Sequence, residues 1–297
     1  MITMLRAFVL EYTRQWSRPS SMRLAHRLAV VAAFALVTGI AAGDEPRRHR
    51  VVFTIDLEYP HTSGLAGEAA VHRIAYVLRH ELHVPVPLRF AVHLYDSTER
   101  FVEGLVADAA VAPSVAAQLA EFAMGVAVPH NFLLRATAGD LATGPEALRL
   151  ISHELTHLGQ IELAGERGPV HWLAEGMAEW TAHTVLERLG LASMATYRMA
   201  VVPDVKARLV ADPHLELAAM ATPSDFLATH RRRGTMATYH LAFTLADYLI
   251  QREGFPAVLE YFRAFRRSDD AAANFRSAFG QDVAAFEREA LLYLTTI

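Results

Sequence analysis

An α+β fold, with a small mixed β-sheet part leading into a mainly helical part, is what this sequence predicts, and three observations carry the expectation. Segments before residue 140 alternate apolar and polar residues with the two-residue period of strands. From Thr143 onward apolar residues recur at helical spacing, and the segments end at glycine. The 297 residues are 53% apolar and 20% charged, enough apolar material to enclose a core. The absence of cysteine excludes a disulfide scaffold and thiolate-held metals. With 28 basic against 32 acidic residues there is no overall electrostatic case for a nucleic-acid partner.

Residues 1–43 read as a leader, because 28–43 is the one long uncharged apolar run and Arg23, His26 and Arg27 precede it. As a helix that run rises about 24 Å, short of the roughly 30 Å of bilayer hydrocarbon. It therefore reads as a secretory signal with small residues near a cut at Ala41 to Gly43, and an uncleaved anchor is the alternative. The expected location is periplasmic or secreted, with membrane association only through residues 28–43. Met22 stands beside Met1 as a possible start. The positive mean hydropathy of +0.19 owes part of its value to this leader.

Residues 44–140 read as the mixed part. After a polar, arginine-rich linker, 51–58 alternates as a strand, 68–82 as an amphipathic helix and 84–95 as a second strand. A helix is expected over 115–122, and over 124–135 a strand interrupted by Pro129, which fits a sheet edge. Residues 141–297 read as the helical part of the same domain. There Thr143-Gly-Pro-Glu146 forms a capping box with proline in the first turn, and Gly165 and Gly168-Pro169 end that helix. A second helix covers 170–189 and stops at Gly190. Further helices are expected over 235–252, 256–267, 269–279 and 282–294.

The chemistry concentrates on the first two of those helices. His153-Glu154-Leu-Thr-His157 places two imidazoles four residues apart, on one helical face, where both can reach a single tetrahedral ion. Glu154 lies about 100° around from His153, beside such an ion without ligating it, where a base for an activated water must be. The next helix begins His171-Trp-Leu-Ala-Glu-Gly-Met-Ala-Glu-Trp180. A tight turn makes the two helices antiparallel neighbours, so Glu175 can supply the third ligand and leave the fourth position to water. Glu179, one turn on, can accept the free ring N–H of a ligand histidine and fix its tautomer. The alternative is an ordinary surface charge. Without cysteine, any metal must be held by nitrogen and oxygen, and zinc is the expected ion.

His153-Glu154-x-x-His157 with Trp172-Leu-x-Glu175-Gly-x-Ala178 resembles the gluzincin branch of the zinc metallopeptidases. The likeness is to the bacterial peptidase MA-like proteins in particular and, more distantly, to the aminopeptidase N family. It runs from about Met124 to the C-terminus and is strongest at these two helices. It implies a zincin-like fold, one catalytic zinc held by His153, His157 and Glu175, and Glu154 as general base and proton carrier. It also implies a tyrosine opening a later apolar helix as oxyanion stabiliser. Tyr239 in Ala237-Thr-Tyr-His-Leu is the match, with His240 as competitor. One departure matters: the aminopeptidase branch carries an acid on the strand before the zinc helix that holds a free amino group. Residues 122–130 contain none, which favours cleavage within a chain, and that strand can still pair with an extended peptide.

Three other features carry no functional reading. His80-Glu-Leu-His83 reads as a helix end, Arg231-Arg-Arg233 as a solvated loop, and the aromatic tail (Tyr261, Phe262, Phe265, Phe275, Phe279, Phe286) as core. The expectation is an exported zinc-dependent endopeptidase acting on peptide or protein substrates. The alternatives are a metal-binding, non-proteolytic cell-envelope interaction module and a hydrolase of non-peptide amides or esters.

Overall fold

Four strands and eleven α-helices can be traced in the computed structural model, which describes residues 49–55, 67–136, 144–165, 167–212 and 217–296. The leader, the question of its cleavage, and Thr143 lie outside the described residues. Among those residues no helix is long and apolar enough to cross a membrane. The architecture is α+β and mostly helical, as the sequence predicts.

Strands β1 (His49–Thr54), β2 (Arg89–Tyr95), β3 (Gly125–Val128) and β4 (Asn131–Arg135) form one mixed sheet in the order β1-β2-β4-β3. The β1/β2 and β3/β4 pairs are antiparallel and β2/β4 is parallel. The second strand starts later than the alternation suggests because Pro85 and Pro87 cannot donate to the ladder. The expected interrupted strand over 124–135 is instead a hairpin. Pro129 and His130 form its two-residue turn, with Val128 facing Asn131 and His130 at φ 60°. Proline first and a positive φ second is the pattern of a type II turn. Only β3, the half before the proline, lies at the sheet edge.

Both faces of the sheet are covered, and the two-residue period decides what each face meets. Phe132 and Leu134 of β4 join the main core, while Leu133 between them joins a second cluster. The main-core face packs on α1 (Gly67–Tyr76), which continues as a π-helical turn over Val77–Glu81, and on α4 (Pro145–Ala164). The other face packs on α2 (Thr98–Ala107) and α3 (Pro113–Ala120). One continuous cluster runs from Phe53 of β1 to Leu294 near the C-terminus, so the mixed and helical parts share a core.

Helix α4 opens with Pro145 in its first turn, but Gly144 is the N-cap and no side chain caps it. The expected capping box involves Thr143 and so lies outside the described residues; Glu146 pairs with Arg149 at 2.6 Å. Next come α5 (His171–Arg188), α6 (Met194–Ala211), a 3-10 turn over Leu217–Met220, and α7 (Pro223–Arg233). The Arg231-Arg-Arg233 run is thus the last turn of a helix, not a loop, and basic side chains there complement the helix dipole. Arg231 pairs with Glu121 at 2.9 Å, and Arg233 pairs with Asp212. The helix expected over 235–252 is broken at Thr238 into a 3-10 turn, Thr235–Ala237, and α8 (Tyr239–Glu253). Helices α9 (Phe255–Ala264), α10 (Ala271–Phe279) and α11 (Val283–Thr296) complete the chain, and all six tail aromatics are buried.

The contact between α5 and α8 sets the depth of the site. A Cβ on Gly176 would lie 2.1 Å from the Ala242 carbonyl oxygen, so only glycine lets these helices approach this closely. Trp172, fully buried, stacks on Phe286 and donates its indole N–H to Glu287 at 2.9 Å, which ties the start of α5 to α11.

Candidate metal centre

Two ladders of polar residues at four-residue spacing face each other across α4 and α5. Arg149, His153 and His157 stand on α4, and His171, Glu175, Glu179 and His183 on α5. Every histidine and glutamate among these is buried. Their rungs meet because the helices are antiparallel neighbours, and Gln160 bridges them by donating to the Ala174 carbonyl at 2.8 Å.

The centre itself is the group His153, His157 and Glu175, which can hold a metal ion. His153 Nε2 and His157 Nε2 are 3.0 Å apart, and Glu175 Oε2 lies 3.4 and 3.6 Å from them. A tetrahedral ion with bonds of about 2.0–2.1 Å has ligand-to-ligand edges of about 3.3 Å, so the three separations suit one. The tautomers suit it as well. His157 Nδ1 lies 2.9 Å from Gln160 Oε1, and His153 Nδ1 lies 3.0 Å from Glu179 Oε1, out of line for a straight hydrogen bond. Acceptors at both Nδ1 atoms draw the ring protons there and turn the Nε2 lone pairs inward, so the pocket between them calls for a cation.

The surrounding charges answer to the same arrangement. Burial works against a charged His153, but Glu175 at Nε2 and Glu179 at Nδ1 outweigh it and raise the ring to about 10. Burial would also raise Glu175, yet His157 and His153 hold its carboxyl well below the usual range. Glu179 is drawn down to about 2, against its burial, by His153 and Arg149. Arg149 reaches both Glu179 oxygens, at 2.8 and 3.0 Å.

Glu154 is treated differently. Burial pushes its carboxyl up, against the charges of His153 and His157, and Oε2 is buried without a hydrogen-bond partner. It lies against the edge strand, where a Cβ on Gly125 would come within 2.4 Å of Oε1. The glycine of β3 therefore provides the clearance that the carboxylate occupies.

Apart from Gln160, these groups line one cavity of about 630 Å³ between the sheet edge and the helices, and Tyr239 and His240 line it too. The Tyr239 ring centroid is 6.3 Å from that of His153. Burial first, then Glu175, Glu179 and Glu154, push its phenol well above the ordinary range, so its hydroxyl keeps its proton and is a donor. His240 faces the other end of the ladder. It meets Tyr197 edge-on at 6.3 Å, and its Nδ1 is buried without a partner.

The structure thus brings together every residue singled out from the sequence. It also adds Arg149, Gln160, His171, His183 and Gly125, which the sequence reading missed. Arg149, His171 and His183 each stand four residues from a named group and Gln160 three, so the signal that could have found them was helical spacing. Gly125 carried no such signal. No family model, curated protein or solved structure matches this chain.

Proposed function

We propose that this protein is an exported zinc-dependent endopeptidase of zincin type, acting on peptide or protein substrates. The observation that carries the reading is the meeting of three convergent donors, His153, His157 and Glu175, with a buried carboxylate, Glu154, that has an unpartnered oxygen beside them. A metal held only structurally has no use for such a neighbour. The nitrogen and oxygen donors suit zinc, which when bound supplies a polarising charge and a water of lowered pKa.

The chain's own groups do the rest. Extended peptide pairs with the outer edge of β3, which no other strand among the described residues covers, and passes Gly125, which brings its scissile carbonyl over Glu154. Glu154, its carboxyl already raised by burial, takes a proton from the attacking water and delivers it to the departing amine. The Tyr239 hydroxyl donates to the developing oxyanion. Arg149, Glu179 and Gln160 hold the histidine rings in place. Residues 122–130 offer no acid for a free amino group, which supports cleavage within a chain.

The purified protein is expected to bind about one zinc per chain and to cleave members of a peptide library at internal bonds. Glu154→Gln should keep the zinc and lose the cleavage. Unchanged cleavage overturns the assignment of Glu154, and zinc binding with no peptide cleaved points to the non-proteolytic alternative.

A further inference from the structure

We propose that His171 is a positioning residue that divides the two oxygens of Glu175, holding Oε1 so that Oε2 alone faces the metal. The proposal rests on the metal centre described above but needs no substrate. The two oxygens already have different neighbours. Oε2 lies 3.4 and 3.6 Å from the Nε2 atoms of His153 and His157, whereas Oε1 lies 3.5 Å from His171 Nε2.

His171 is held to that duty from three sides. As the first residue of α5 it stands one turn before Glu175, on the same face. Its backbone N–H donates to the Ala221 carbonyl at 2.9 Å, and its ring meets Phe226 edge-on, with centroids 4.9 Å apart at 87°. The ring's Nδ1 is buried without a partner and Nε2 is the nitrogen turned to Glu175 Oε1, which assigns the single proton of a neutral imidazole to Nε2; at 3.5 Å the contact is longer than an ordinary hydrogen bond. The consequence concerns coordination number. A carboxylate with both oxygens free can clasp an ion through both and fill the position an attacking water needs, and one with an oxygen engaged elsewhere cannot.

The test reads the metal. The protein is loaded with zinc, for affinity by chelator competition, and with cobalt(II), whose visible absorption weakens as coordination rises from four to five. His171→Phe keeps a ring against Phe226 and removes the N–H. It is expected to lower zinc affinity about tenfold and to weaken the cobalt absorption, while His171→Gln, which retains a donor, returns both toward the parent. A folded His171→Phe protein with parental affinity and spectrum overturns the proposal, as does a His171→Gln protein equally impaired. Should His171→Phe not fold, the nitrogen-15 signals of the parent's His171 ring decide. A proton on Nε2 supports the assignment and a proton on Nδ1 overturns it. Failure of the parent to take up either metal overturns this inference and the peptidase reading together. Metal uptake with these effects but no peptide cleaved overturns only the latter.

Discussion

Glu154 on α4 and Asp247 on α8 are equally buried, each 3% exposed, and the fold provides for them in opposite ways. Asp247 accepts from the Trp180 indole at 3.0 Å, from Arg198 at 2.8 and 2.6 Å, and from Gln251 at 2.6 Å. These bonds tie α5, α6 and α8 together. Glu154 keeps Oε2 without any partner, while its Oε1 lies against a strand glycine. Leaving a buried acceptor unpaired costs about 1–3 kcal/mol, and this fold has donors enough to satisfy such a group. The contrast marks Asp247 as a joint and agrees with the part of a reagent that the proposed function gives to Glu154.

The largest expected effect separates the two directly. Glu154→Gln should lower kcat/KM for a cleaved peptide by about 10²–10⁴, with zinc content unchanged and Tm no lower than the parent's. A marked loss of Tm would mean that Glu154 is structural after all. Asp247→Ala should do the reverse, costing about 2–4 kcal/mol in denaturant unfolding while zinc affinity stays within a few fold. That is less than the 3–5 kcal/mol of a wholly enclosed pair because the Arg198 side chain is 36% exposed. Parental stability would erase the distinction.

Smaller effects sharpen it. Gly125→Ala puts a methyl group where Glu154 now lies and should shift the carboxylate, lowering kcat/KM by about ten- to a hundredfold at unchanged zinc affinity. Arg149→Gln removes a charge that, after His153, helps to hold Glu179 ionised, and chelator competition should show zinc binding weakened about tenfold. A larger effect on turnover than on zinc binding would show that Arg149 acts on the reaction and not through the histidine.

The legible and illegible parts of the sequence differ by range. Helix ends at Gly165, Gly190, Gly254 and Gly280 are written locally, because a positive φ there needs no distant partner. The group that could hold a metal ion is legible for the same reason, since a four-residue spacing fixes a helical face before any tertiary contact forms. The hairpin is hidden because His130, not glycine or asparagine, takes the positive φ of its turn. Gly125 could not be read at all, since its reason is a carboxylate on another element. Nor could the different neighbours of the two Glu175 oxygens, which are told apart only once His171 is placed.

The polar ladder on α5 makes the site a matter of phase. His171, Glu175, Glu179 and His183 share one stripe only while the count between them is kept, and each residue added or removed turns the remainder of the helix by about 100°. A single insertion between Glu175 and Glu179 would leave every residue type in the chain and every bond of the helix in place. It would still swing Glu179 and His183 off the stripe, so that His153 and Arg149 lose their shared carboxylate. This stretch can therefore accept many substitutions on its other faces but no change of length, and within it a frame of spacing, more than any one side chain, is the thing that must be inherited.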